Sequence, residues 1–406
     1  MKKTLAIMLA LIMVLAMVPT VAFAEEPKTI YVDATKGDDT KGKGTETEPY
    51  KTVEAAAKAA TSGDTITLGE GKYTLYKIPS TDTTKGKNLT FVGQGADKTG
   101  WNIGAEVPDP ANFGTEYNGD YSFDGAGTIT FRNMTLQSGT ADYLGFIRAD
   151  KTIVDNCTVN GKTFYWGYTS ATFTKTTFNC PDGDYALWTY SSPMMTFDEC
   201  TFNSTGKVIN VYTDYGAGKQ DITVNFNKCT VNNTVKSLKP VLNINDSNMG
   251  NYKYILNITD DNNVTGVDVD KATCSRLFGF GGKADTNNKG KTVVTIDDKT
   301  VWKNGKMESH AIDTTYDKYT DGYKDNAFDV TYGEWSAWNY DTRTRTFTKI
   351  CKYCGYKEEG TEKETRIVEH HDHYYPSTTP VPVIVIPPKT GDMTIWQSIL
   401  HFLGIR

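Results

Sequence analysis

Five short segments carry side chains whose types and spacing suit a saccharide groove: GFIRAD (145 to 150), FYWGYT (164 to 169), ALWTYS (186 to 191), INVYTD (209 to 214) and LNINDS (242 to 247). Side chains of a strand alternate between its two faces. Aligning the segments therefore turns Ile147, Trp166, Trp188, Val211 and Ile244 inward and leaves Phe146, Arg148, Tyr165, Tyr168, Tyr190, Tyr212, Asp214, Asn243, Asn245 and Asp246 on an outer face. Aromatic rings stack on the apolar faces of sugars, and amides, carboxylates and guanidinium groups bond sugar hydroxyls. On this reading Tyr165, Tyr168, Tyr190, Tyr212 and Asn245 are the candidate glycan-binding residues; exposed Tyr and Asn also simply suit strands and corners. Arg148 is the candidate proton acceptor or carboxylate partner, with Asp214 and Asp246 as its acidic neighbours. A base must first be within reach of its proton, which a sequence does not show.

A second constellation lies near the C-terminus. Cys351 and Cys354 form a Cys-x2-Cys pair, and His370, His371 and His373 follow after 15 residues. Two thiolates on one turn with two imidazoles make a tetrahedral zinc site sterically reasonable, with Cys351, Cys354, His370 and His373 as ligands. A Cys351–Cys354 disulfide or idle thiols are the alternatives. Calcium needs six to eight oxygen ligands, and Asp214, Asp246 and Asn245 are a thin set. The denser Asp260-Asp261-Asn262-Asn263 tract reads as a turn.

The elements that position these groups repeat. ITFRNMTLQ, TIVDNCTVN, ATFTKTTFN, MTFDECTFN and VNFNKCTVN share one pattern, with anchors at Phe131, Val154, Phe173, Phe197 and Phe226. The steps between anchors are 23, 19, 24 and 29 residues, a period that signals a solenoid. Two polar residues interrupt each alternation, at Arg132-Asn133, Asp155-Asn156, Thr174-Lys175, Asp198-Glu199 and Asn227-Lys228. A corner there, of the left-handed kind that Asn tolerates, keeps both flanking strands' apolar residues inside. Met134, Cys157, Thr176, Cys200 and Cys229 are then expected in one interior column, and Leu136, Val159, Phe178, Phe202 and Val231 in the next.

On these repeats, and on the opening IYVDATKGDDTKGKGTETEPYKTVEAAAKAATSGDTITLGEGKYTL followed by KNLTFVGQGADKTGWNIG, the chain resembles the right-handed parallel β-helix of the pectate-lyase-like superfamily. The resemblance covers roughly two thirds of the chain and implies an all-β solenoid, capped by a short helix near Val53 to Ala60 that shields the open end. It also implies two enzyme classes, calcium-dependent polysaccharide lyases with an Arg or Lys base and glycoside hydrolases with Asp groups and a nearby His. No His occurs between Glu25 and Met307, which counts against the hydrolases.

Residues 1 to 24 read as a secretory signal peptide, with Lys2 and Lys3, an apolar run and Ala22-Phe23-Ala24. The expected organisation continues with the β-helix at 25 to 309, a β-rich Trp and Cys-x2-Cys module at 328 to 374, a Pro/Thr-rich spacer at 375 to 388 and an apolar tail at 389 to 406. The Trp and Cys module resembles those near the ends of clostridial surface proteins. In the tail, Pro388-Lys389-Thr390-Gly391 resembles the sorting motif of Gram-positive wall-anchored proteins; an amphipathic helix touching the envelope or a partner is the alternative. Both place the chain at the cell surface, with the wall as a partner.

A net charge of −6 without a basic run excludes nucleic acid as a natural partner. Seven cysteines, five of them in the coils, argue against a disulfide scaffold; Cys157, Cys200 and Cys229 are expected as free buried thiols. Three functions remain: a surface module that binds extracellular polysaccharide or host glycan, a lyase cleaving an acidic glycan, and a structural surface protein.

Overall fold

A computed structural model describes residues 26–74, 83–102, 121–137, 146–163, 166–180, 185–189, 192–212, 221–237, 239–245, 252–259, 261–267, 276–281, 288–308, 328–351 and 357–367. The signal peptide, spacer and tail expected from the sequence lie outside these. The chain divides into two compact units, Met1–Thr158 and Val159–Arg406.

In the first unit, strands Thr29–Val32, Thr65–Leu68, Leu89–Val92, Thr128–Arg132 and Lys151–Asp155 pair in that order, all parallel and in register. Gly71–Thr74, Thr99–Asn102 and Thr135–Gln137 build a second parallel sheet, and Tyr121–Ser122 pairs with Phe146–Ile147 in a third. Alternation sends Ile30, Ile66, Leu89, Phe91, Ile129, Phe131 and Val154 inward from the first sheet, where they meet Trp101 and Leu136 from the second. Phe91 lies 4.9 Å from Trp101 between ring centroids, and Trp101 lies 5.7 Å from Phe131. Helix Val53–Ala59 buries Val53, Ala56 and Ala57 against the first two strands. Thr52 is its N-cap, accepting from Ala55 N–H through a hydroxyl that donates to Asp39.

The second unit repeats the plan. Ser170–Thr174, Met194–Asp198, Ile222–Asn227, Tyr254–Ile258 and Val293–Ile296 stack in one sheet, and Thr177–Cys180, Thr201–Ser204, Thr230–Ser237 and Asn263–Val267 in the next. Leu187–Trp188, Ile209–Val211, Leu242–Ile244 and Phe278–Phe280 make the third. Successive parallel strands that return to the same three sheets define a parallel β-helix. The expected corners occur at Asn133, Asn156, Lys175, Glu199 and Lys228, all with φ between 49° and 55°. Three are not Asn, so the polar, outward-facing corner selects the residue more than intrinsic left-handed preference does. Both expected columns are buried in the unit that holds each residue.

A second regularity follows on the outer side. Asn179 Nδ2 donates to Asn160 Oδ1 and Asn203 Nδ2 to Asn179 Oδ1, both at 2.9 Å, and Asn232 Nδ2 donates to Asn203 Oδ1 at 3.2 Å. The parallel run ends in antiparallel strands Lys299–Lys303 and Lys306–Met307, entered through Asp297-Asp298 and joined through Asn304-Gly305, all with positive φ. Such pairs suit two-residue hairpins. Trp302 closes this end, its ring 5.1 Å from Phe280 and its indole N–H donating to Lys289 O.

Strands Phe328–Tyr332, Thr342–Cys351 and Lys357–Thr365 form a separate three-stranded antiparallel sheet, the β-ribbon that the Thr/Arg alternation predicts. On one face guanidinium groups interleave with rings. Arg345 lies 3.9 Å from the Tyr332 centroid and 4.5 Å from Trp335, Arg343 4.7 Å from Trp335 and 4.8 Å from Trp338, and Arg366 4.4 Å from Trp338. Arg343 also pairs with Glu364, and Arg345 with Glu362 at 2.6 Å. Gly360 lets the Phe347 ring lie across the neighbouring strand, since a Cβ there would stand 2.4 Å from the ring and push it aside.

Cys157, Cys180, Cys200 and Cys229 are buried thiols, none of them in a disulfide. Burial pushes the Cys157 thiol up to about 12, and burial with the neighbouring Cys200 thiol pushes Cys229 up as well. A thiolate is the reactive species. In alkylation at pH 8 followed by peptide mass mapping, these four cysteines are expected to stay unmodified in the folded chain and to label fully in denaturant.

Asp64 ties the N-terminal strand to the first coil. Its carboxylate accepts from Lys28 N–H at 3.0 Å, Thr61 N–H at 2.7 Å and the Thr61 hydroxyl at 3.0 Å. Burial by itself raises its pKa, but these donors together hold it below the ordinary carboxylate value. A depressed folded pKa gives stability that is full above the unfolded value of about 4 and lost as pH falls through the folded one. Asp64→Ala is expected to cost about 1.5–3 kcal/mol at pH 7 in denaturant melts. The difference from wild type should shrink below pH 4.

Candidate functional site

The third sheet of the second unit gathers the groups with chemical potential. Its register pairs Leu187 with Ile209, Leu242 and Phe278, and pairs Trp188 with Asn210, Asn243 and Gly279. The first row faces the core. The second row lies on the opposite face, where Trp188 is half-buried while Asn210 and Asn243 are each only 1% exposed.

The face continues with Tyr212 and Asn245, both half-buried. Tyr212 is held by Thr189, whose hydroxyl accepts from Tyr212 N–H and donates to Tyr212 O, each at 2.9 Å. The Trp188 ring stands edge-on to Tyr212 at 5.4 Å and to Tyr185 at 6.0 Å. Asn243 Nδ2 donates to Tyr185 Oη at 2.5 Å, and Lys207 Nζ lies 5.0 Å from the Tyr185 ring centroid. Gly281, which follows the last strand of this sheet, brings its backbone close to the amides. A Cβ there would lie 3.2 Å from both amide atoms of Asn243 and 3.3 Å from Asn245 Oδ1.

The Oδ1 atoms of Asn210 and Asn243 are buried and have no hydrogen-bond partner. An unsatisfied buried acceptor costs about 1–3 kcal/mol. Such atoms call for a donor from water or from a ligand. An aromatic ring can stack on one face of a polyol ring while amide acceptors beside it bond the hydroxyls.

This arrangement both keeps and corrects the sequence expectations. Tyr212 and Asn245 fall in the cluster, and Ile147, Trp166, Val211 and Ile244 are buried as expected. Trp188, expected inside, is on the outer row; Leu187 and Thr189 take the inward positions. The pairing of Leu187 with Ile209 sets that register, and a shift of one residue exchanges the faces. Asn243 faces outward as expected but is buried rather than exposed.

Tyr168 is half-buried in the same unit, and Arg148 is half-buried in the first unit. Tyr165, Tyr190, Asp214 and Asp246 lie outside the described residues, as do Cys354, His370 and His373; Cys351 ends the middle strand of the small sheet. Sequence reasoning missed Tyr185, Lys207 and Asn210. For Asn210 a signal existed in the matching Ile-Asn-Val and Leu-Asn-Ile triplets. Among the described residues, no group of three or more His, Cys, Asp or Glu side chains could hold a metal ion, and no helix is long and apolar enough to cross a membrane.

Successive coils that return to the same three parallel sheets define a parallel β-helix protein. No protein-family model and no curated protein sequence matches the chain. Among solved structures it is similar to pectin methylesterase from Aspergillus niger in penultimately deglycosylated form, at 12% identity and TM-score 0.37, over 72% of this chain and 94% of that one. The deglycosylated form of the same enzyme gives 11% and 0.36, over 71% and 90%. Pectin methylesterase from Erwinia chrysanthemi gives 9% and 0.32, over 72% and 95%. Likeness at this level carries no argument about the site, and the fold stands on the strand pairing itself.

Proposed function

We propose that the chain is a secreted, wall-associated β-helix protein that binds extracellular polysaccharide on the outer face of its third sheet. The supporting observation is the row of Trp188, Asn210 and Asn243 beside Tyr185 and Tyr212, with two buried amide oxygens lacking partners. Rings supply contact area at low entropic cost, and the amides supply directional bonds. The signal peptide at 1 to 24 and the tail at 389 to 406 support placement at the cell surface. Titration of the full secreted chain with a panel of polysaccharides, read by calorimetry and by absorbance of unsaturated products together, tests the proposal. Saturable binding without product is expected, weakened about tenfold, or about 1.4 kcal/mol, in Trp188→Ala and Tyr212→Ala. Calcium-dependent unsaturated uronate products that vanish in Arg148→Ala would replace binding with lyase chemistry.

The small sheet carries a separate proposal, a structural zinc ion held by Cys351, Cys354, His370 and His373. The middle strand ends at Cys351 and its partner begins at Lys357, so the Cys-x2-Cys segment joins two paired antiparallel strands. When bound, zinc would staple a sheet too small to hold a large core. Elemental analysis of the purified chain should find near-stoichiometric zinc that is lost in Cys351→Ser. A metal-free chain that gains two hydrogens on reduction would show a disulfide instead.

A further inference from the structure

Resting on the saccharide reading of the third sheet, we infer that this site selects neutral, hydroxyl-rich saccharides and rejects uronates. The inference comes from the sign of the groups on its floor. Asn210 Oδ1 and Asn243 Oδ1 occupy the same row on adjacent coils, both buried and both without a donor. An amide carbonyl oxygen is an acceptor only. A hydroxyl or an N–H set against it makes the missing bond, whereas a carboxylate sets an anion against a second lone pair in a poorly solvated place.

One N–H of the Asn243 amide is committed. It donates to Tyr185 Oη, while the amide oxygen has no donor at all. Asn245 adds a further half-buried amide beside Asn243, and Gly281, where a Cβ would be tight against both, has no side chain to crowd them. Half-buried Trp188 and Tyr212 flank this floor, either ring suiting the C–H face of a pyranose, and Tyr185 is buried behind them.

The opposing consideration is Lys207, a cation that could draw an anionic sugar. Its ammonium lies 5.0 Å over the Tyr185 ring, a position that favours the ring's π-face. Attraction to one partly exposed lysine is long-range and screened by salt, while the acceptor floor acts at contact distance in a buried row. The contact term decides selectivity at physiological ionic strength.

A test measures the full secreted chain against matched soluble oligosaccharides, neutral hexose and N-acetylhexosamine oligomers on one side and oligogalacturonate on the other. Titrations are run at low salt and at about 150 mM salt. The expected result is neutral binding at least tenfold tighter than uronate binding at the higher salt, little changed between the two salts. Asn210→Leu, checked for native melting, should weaken neutral binding about tenfold and narrow the neutral-to-uronate ratio. Asn245→Ala, at the half-buried rim, should weaken it less. Uronate binding equal to or tighter than neutral binding, lost in Trp188→Ala, would overturn the selectivity while leaving the saccharide reading in place. Absence of binding across the whole panel would overturn both.

Discussion

The structure depends on in-register parallel pairing of successive coils. Each strand uses its backbone groups to hold the next coil at about 4.8 Å, so every side chain sits directly over the one at the same position a coil earlier. Like must then stack on like. Phe173 and Phe197 stack at 5.1 Å with planes 5° apart, and Phe178 and Phe202 at 4.7 Å and 5°. The same rule on the outer side makes the Asn160, Asn179, Asn203 and Asn232 ladder, in which each amide satisfies its neighbour. A β-branched or aromatic residue replacing one rung would leave two amides unmatched, so the stacking constrains polar positions as strongly as apolar ones.

Repetition creates a problem at the ends, because a coil without a neighbour exposes a core and a row of unpaired backbone groups. At the start the helix Val53–Ala59 covers the first strands with small residues, fixed by the Thr52 cap and the Asp39 bonds behind it. At the far end the chain abandons parallel pairing, folds back through two tight hairpins and lays Trp302 against Phe278 and Phe280. Different chemistry serves the same need at each end. The small C-terminal sheet pairs its three strands with one another and carries alternating guanidinium groups and rings, with Glu362 and Glu364 paired to the arginines.

The candidate site lies where the like-on-like rule fails. Along one row of the third sheet the residue changes from Trp188 to Asn210, Asn243 and Gly279. Asn210 and Asn243 are adjacent on consecutive coils as the ladder asparagines are, yet neither oxygen receives the other's amide N–H. On the second sheet the ladder amides bond one another, although Asn233 Oδ1 and Asn263 Oδ1 on the same sheet lack partners too. What sets the third sheet apart is that its unused acceptors lie beside aromatic rings, and the candidate site rests on that combination.

The sequence by itself determined the repeat, its corners and its interior. The pattern of apolar pairs around two polar residues specified Ile129, Phe131, Met134 and Leu136 as core, and the structure buries all four. Free buried thiols and the Thr/Arg β-ribbon were legible for the same reason, since each depends only on local alternation and period. The site was legible in part. Tyr212 and Asn245 could be assigned to the outer face, but Trp188 could not, because a strand as short as Leu187–Trp188 carries too little alternation to fix its own register. Only pairing with Ile209 on the next coil decided it. Tertiary structure alone also decided that Asn210 and Asn243 are buried and that Tyr185 reaches Asn243 across 58 residues of chain. Those facts depend on what stacks above and beside a residue, and a linear pattern records only what precedes and follows it.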